Sequence, residues 1–188
     1  MQVQEAIRTR RSIRRFQDRP VDGETLKKLV DLARLYASGG NMQPLRYAVI
    51  AGQTQKDLLF EKLKWAMYLP AFTIAADQRP GGYIVVLCDT RVKKQCQFDL
   101  GAAATTIMLA AREMGLDTCA LGAFSAQEVA KQLELPDHLH PELVLAVGFR
   151  GQESEAVAYD GSICYTMDEA GNFRVPKYSL EDVLLLER

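Results

Sequence analysis

The segment Arg8-Thr9-Arg10-Arg11-Ser12-Ile13-Arg14-Arg15-Phe16 contains five arginines, no lysine and no acid. In an extended chain, residues two apart share a face. Arg10, Ser12 and Arg14 would then converge on one anionic ligand, while Arg11, Ile13 and Arg15 face the other way. Guanidinium forks match phosphate oxygens and other planar acceptors better than ammonium groups do. The same run also reads as a solvated basic arm or a nonspecific nucleic-acid contact. A second segment, Ser38-Gly39-Gly40-Asn41-Met42-Gln43-Pro44, carries a different chemistry. Gly39 and Gly40 let the backbone approach a ligand closely, and Asn41 and Gln43 bring amides that both donate and accept. That mixture suits a heterocycle edge presenting donors and acceptors together. Taken alone, it is equally a loop that ends a helix.

The elements that must position these residues follow from periodicity. A short helix is predicted over Val3 to Arg8, and an irregular stretch runs on to Pro20. Asp22 can cap a helix whose apolar stripe is Leu26, Leu29, Val30 and Ala33. Ser38 to Asn41 breaks it, and Pro44 prevents its resumption. Tyr47 to Ala51 reads as a strand, and Thr54 as the cap of a helix carrying Leu58, Leu59, Leu63 and Ala66. Pro80-Gly81-Gly82 precedes a buried strand, Tyr83 to Cys88. Phe98 to Met114 forms the longest helix, closed by Gly115. That helix is apolar around most of its circumference, so it needs cover on more than one side, and a second subunit is a natural cover. Ser125 with Glu128 opens another helix, and Glu142 to Phe149 is an apolar strand. After Arg150 the chain turns polar and turn-rich. It ends in a short apolar helix capped by Ser179, which is too short to stand alone and must dock. Strands separated by helices point to an α+β layered sheet.

R-R-S-x-R-x-F followed some 25 residues on by S-G-G-N-x-Q-P resembles the nitroreductase family of FMN enzymes. The likeness continues through the Asp99-containing helix ending E-M-G-L-D-T, the loop Ala120 to Phe124, the strand L-V-L-A-V-G-F and the closing V-P-K-x-S-L-E-D-V. The resemblance implies a single domain over 1–188, with 151–188 as a C-terminal extension or arm. It implies an α+β fold with a central mixed sheet, helices on both sides, and an intertwined homodimer exchanging C-terminal arms. It places Arg10 and Ser12 at the ribityl-phosphate end of FMN, counts Arg11 among the cofactor-binding residues, and sets Arg14 by N1 and O2 of the flavin. It places Ser38, Asn41 and Gln43 over the cofactor, partly from the neighbouring subunit, and the Leu121-Gly122-Ala123 backbone near N5. Lys177 would close on the phosphate. The expected activity is electron transfer from NADH or NADPH through the flavin to a small acceptor such as a quinone or nitroaromatic. A same-fold enzyme of other flavin chemistry and a non-catalytic flavin-binding protein are the alternatives. Ala37 and Leu45 stand where many relatives have Pro and an aromatic.

Composition narrows the rest. A formal charge of -1 excludes a general polycation, so no nucleic-acid partner is expected. Cys88, Cys96, Cys119 and Cys164 have no C-x-x-C spacing and read as free thiols in a reducing compartment. With no signal peptide or membrane span expected, the address reads as cytoplasmic. His138 and His140 supply too few ligands for a metal, and none is expected. Trp65, Met67, Tyr68 and Phe72 fall where an aromatic wall for the acceptor would lie, but aromatics and Met at such spacing read more often as core.

Overall fold

The computed structural model describes residues Met1–Glu187. Its main sheet has four strands, β1 (Leu45–Ile50), β2 (Gly82–Asp89), β3 (Asp117–Leu121) and β4 (Leu139–Gly148), in the order β1-β2-β4-β3. Every pair is antiparallel. The expected mixed central sheet is therefore corrected. Parallel pairing is confined to a bridge between Ser12 and Thr118 and to a small second sheet. The second sheet, in the order β5-β7-β6, is made by β5 (Ser154–Ala158), β6 (Thr166–Met167) and β7 (Phe173–Lys177).

Alternation along the strands divides the core into two layers. Ile84, Val86, Leu145 and Val147 pack with Leu26 and Leu29 of α2 (Gly23–Ala33) and with Ala103, Ile107 and Ala111 of α4 (Gln97–Glu113). On the other face Tyr83, Val85, Val144 and Ala146 meet Leu59 of α3 (Gln53–Phe60) and Val129 of α5 (Ala126–Gln132), together with Ile13 and Phe16. All eight residues of β2 are buried, as a strand covered on both faces requires. Helices thus lie on both sides of the sheet, as expected. Among the described residues no helix is long and apolar enough to cross a membrane.

Local signals set most boundaries. Asp22 accepts from the Thr25 amide at 2.7 Å, which satisfies one free donor of α2. Ser125 does the same for Glu128 in α5, and Gly115, at φ 75°, ends α4. Helix α3 departs from expectation. It opens after Gly52, not Thr54, and stops at Phe60, so Leu63 and Ala66 reach the core from irregular chain. The Lys64 amide donates to the Ala123 carbonyl at 3.0 Å, so this stretch is tied to the loop after β3 and does not continue the helix. Strand β4 begins at Leu139, earlier than its apolar run. A register shift between Val86 and Leu87 accommodates Pro141, which has no amide hydrogen to give.

Candidate functional site

Helix α1 (Val3–Thr9) ends at Arg10, and the chain then runs extended beside β3. The Ile13 amide donates to the Thr118 carbonyl at 3.0 Å within the parallel Ser12–Thr118 bridge. Because the two segments run the same way, Arg14 and Leu121-Gly122-Ala123 emerge toward the same end of the sheet. Ile13 and Phe16 are fully buried, whereas Arg10, Arg11, Ser12, Arg14 and Arg15 are half-buried. Ile13 and Phe16 thus anchor the segment, while Arg11 and Arg15 are half-buried just as Arg10, Ser12 and Arg14 are, so burial does not separate the two expected faces.

Residues that sequence reasoning passed over hold this segment. Asp117, fully buried, takes two hydrogen bonds from Arg150 at 2.9 Å each and one from Arg112 at 3.1 Å. Arg150 also donates to the Thr9 carbonyl, and Arg112 to the Thr9 hydroxyl. The pair to Asp117 raises the Arg150 guanidinium above its ordinary value. Further on, Phe16 is wedged against the end of β4, where a Cβ on Gly148 would come within 2.6 Å of its ring. Only their separation in sequence, more than a hundred residues, hid these partners.

The field at the segment is positive. Burial, reinforced by the charges of Arg10 and Arg150, lowers the Arg11 guanidinium from its ordinary value. The Arg14 Nη1 and the Thr118 hydroxyl are buried without any hydrogen-bond partner. A buried donor left unpaired is costly, so a group that supplies acceptors here is favoured. Phosphate and the carbonyl edge of a flavin are both such groups, and these residues fit FMN in that sense. Gly122 and Ala123 are exposed and border an open cavity of about 590 Å³ with Lys62 and Lys64 on its rim.

The Ser38–Pro44 loop sits elsewhere. The Ser38 hydroxyl donates to Asp99 at 2.5 Å and accepts from the Gln43 amide at 3.0 Å. Asp99, fully buried in the first turn of α4, also takes a bond from Lys93 at 2.9 Å. Burial pushes this carboxyl up, but the Ser38 and Lys93 hydrogen bonds and the Lys93 charge outweigh it and hold it below its ordinary value. Gly40, Asn41 and Gln43 have φ of 59°, 53° and 49°, three left-handed residues in four. The loop leaves Asn41, Met42 and Gln43 exposed, with the Gln43 amide donating to Asn41 Oδ1 at 2.9 Å. Within one chain this loop feeds β1, while the arginine segment lies outside β3 at the opposite edge. Four strand spacings of about 4.8 Å put them about 19 Å apart across the sheet.

Residues 151–177 fold back on their own chain. Phe173 is fully buried, and its ring and that of Tyr165 lie 4.7 and 4.5 Å from the Arg14 guanidinium carbon. Tyr68 packs edge-on to Tyr165, and Phe72 edge-on to Phe173. The four residues read either as core or as an aromatic wall therefore divide. Tyr68 and Phe72 join this cluster, Trp65 packs on Phe60 beside the core, and Met67 faces solvent. Lys177 is exposed at the far end of β7, so within one chain β7 brings Phe173, not Lys177, to Arg14.

An antiparallel sheet with helices on both faces, edged by a half-buried arginine segment, defines the chain as an α+β layered protein. The nitroreductase family model matches residues 7–77 and 94–149, and the chain belongs to that family. A protein of Methanothermobacter thermautotrophicus with the provisional name NADH dehydrogenase/NAD(P)H nitroreductase is 28% identical over 156 residues, 79% of this chain and 78% of its own. A crystal structure from Parabacteroides distasonis with the same provisional name is 30% identical, with TM-score 0.68, covering 81% of this chain and 89% of its own. A nitroreductase from Exiguobacterium sibiricum, solved in complex with FMN, shares the fold at TM-score 0.68 and 19% identity, covering 81% of this chain and 90% of its own.

Proposed function

We propose that the protein binds FMN and passes electrons from NADH or NADPH to a small acceptor such as a quinone or nitroaromatic. The observation that carries this reading is Arg14: a half-buried guanidinium with an unpartnered nitrogen, at the sheet end where the Leu121-Gly122-Ala123 backbone emerges. Support also comes from the FMN in the Exiguobacterium relative and from the NAD(P)H nitroreductase names of others.

Bound FMN would supply a ring that takes a hydride at N5 and releases electrons one or two at a time. The chain's own part is binding and electrostatics. Arg10, Arg11 and Ser12 hold the ribityl-phosphate, and the crowding of Arg10, Arg11 and Arg150 is relieved by its charge. Arg14 donates to the N1 and O2 edge, where negative charge collects on reduction, and a fixed cation there favours the reduced ring. The backbone at Leu121, Gly122 and Ala123 orients the N5 edge without adding a titrating group. Ser38, through Asp99, shapes the loop that offers Asn41 and Gln43. Lys177 adds a further charge for the phosphate.

The active form in this reading is a homodimer acting in the cytoplasm. The arginine segment and the Ser38–Pro44 loop lie at opposite sheet edges of one chain, so a second copy can bring one loop over the other's arginines. Leu180, Val183, Leu185 and Leu186 stand exposed at the C-terminus, which suits an arm that docks on that copy.

Purified protein titrated with FMN, then assayed for NADH or NADPH oxidation with added quinone or nitroarene, tests the proposal. Stoichiometric binding with acceptor-dependent oxidation is expected. Bound FMN that neither donor reduces faster than free flavin would instead favour the non-catalytic flavin-binding reading. In Arg14→Ala the flavin's midpoint potential should fall and its reduction slow by roughly 10- to 1000-fold, the scale for loss of one charge-stabilising donor.

A further inference from the structure

We propose that Tyr165 and Phe173 are positioning residues for Arg14, and that the C-terminal module tunes the flavin site through this contact; the flavin part rests on the proposed function. The matched family segment ends at residue 149, before β5, β6 and β7. They are not a loose appendage. Phe16 bridges to Arg150, and the Gly151 amide donates to the Arg15 carbonyl at 3.0 Å, so the module starts from the arginine segment itself. A Cβ on Gly151 would approach the Phe16 carbonyl carbon at 2.6 Å, which fixes how closely the two chains meet. Asn172 accepts from the Glu153 amide and closes the base of the module.

The module then lays two rings on Arg14. Tyr165 and Phe173 have centroids 4.5 and 4.7 Å from the guanidinium carbon, but only 5.6 Å from one another. Both rings therefore lie to one side of the cation, as the two walls of a corner. They attract it through their negative faces and take none of its N–H groups. Nη1 is left buried and unpartnered, a donor held in place for an acceptor. The corner is braced from behind by Tyr68 on Tyr165 and by Phe72 on Phe173, while Arg15 stacks on Phe72 at 4.8 Å. Without the rings, a four-bond side chain would have to be ordered by the ligand alone, at a cost in affinity.

The test is a double-mutant cycle on the full chain. Apoprotein is titrated with FMN by flavin fluorescence, and the midpoint potential of the bound flavin is measured. Tyr165→Leu removes a ring wall at a half-buried position and should weaken FMN binding roughly tenfold, the scale of one desolvated cation–π contact. It should also lower the potential. Tyr165→Phe keeps the ring and should restore both. In an Arg14→Ala background Tyr165→Leu should do nothing further, because its effect runs through the arginine. Additive losses, or a Phe variant as poor as Leu, overturn the proposal. The same cycle on the urea midpoint of apoprotein reads the corner without flavin. Coupling there with no FMN bound by the wild type would sink the proposed function and keep the corner. No coupling overturns the corner itself.

Discussion

Arg14, in the extended segment beside β3, and Cys119, on β3, each mark what one position does to a side chain's chemistry. Burial pushes the Cys119 thiol up to about 11, with Arg14 pulling the other way. Cys88 and Cys96 are also raised by burial, and Cys88 donates to the Lys93 carbonyl at 3.3 Å. A thiol kept protonated and out of water is a poor nucleophile. Cys164 alone of the four is exposed. Native protein treated with a disulfide reagent at pH 8 should therefore release about one equivalent quickly and the other three only on denaturation. Fast release of two or more would mean that the buried thiols are reached by solvent. The sequence permitted the free-thiol reading but could not rank the four, since burial is a property of the assembled sheet. The same limit applied at Arg14. Two-residue spacing suggests one face for Arg10, Ser12 and Arg14, while the rings that meet Arg14 lie more than 150 residues away.

At the scale of elements, helix α4 has two jobs. Its middle, with Ala103, Ile107 and Ala111 buried, fills the layer against the sheet, so Ile107→Ala should cost about 2–5 kcal/mol in a denaturant melt. Its first turn carries Asp99, which fastens the Ser38–Pro44 loop. Because the Asp99 carboxyl is lowered when folded, its contribution is fully present above the ordinary value of 3.8 and is lost as pH falls through the lower folded value. Stability measured from pH 5 down to pH 2.5 should therefore drop more steeply in the wild type than in Asp99→Asn. At neutral pH the variant should already be weaker by about 1–3 kcal/mol, because Lys93 and Ser38 lose a charged acceptor. Parallel acid profiles would show that Asp99 is not the group that titrates. Helices α2, α4 and α5 were legible because caps and apolar stripes are local. Strand β3 was missed because Asp117 to Leu121 is short and reads as loop until β4 pairs with it. The end of α3 was misplaced because a tertiary hydrogen bond, Lys64 to Ala123, overrode a helical pattern that Leu63 and Ala66 would have continued.

The whole molecule poses a problem that one chain does not solve. The described fold buries both faces of its sheet, yet leaves Leu180, Val183, Leu184, Leu185 and Leu186 exposed, with Leu185 at 92%. Helix α6 (Leu180–Val183) has both parts of a capping box, Ser179 and Asp182, so its start is specified although none of its residues is buried. A cap stabilises a helix by only about 1 kcal/mol, far less than a four-residue helix needs in water. Local specification without local packing implies an external surface for this segment. In the proposed dimer the exchanged segment would then be Leu180–Glu187, because Tyr165 and Phe173 pack on Arg14 of their own chain. Fully burying two leucines is worth about 3–6 kcal/mol, enough to shift a subunit equilibrium by two to four orders of magnitude. Replacing Leu185 and Leu186 together by Asp should therefore turn a sedimenting dimer into a monomer at micromolar concentration. FMN affinity should fall with it, because the partner's Asn41 and Gln43 would no longer lie over the ring, while the urea midpoint of the chain itself should change little. A wild type that sediments as a monomer yet binds FMN tightly would place the whole site in one chain, and the two-edge argument would fail.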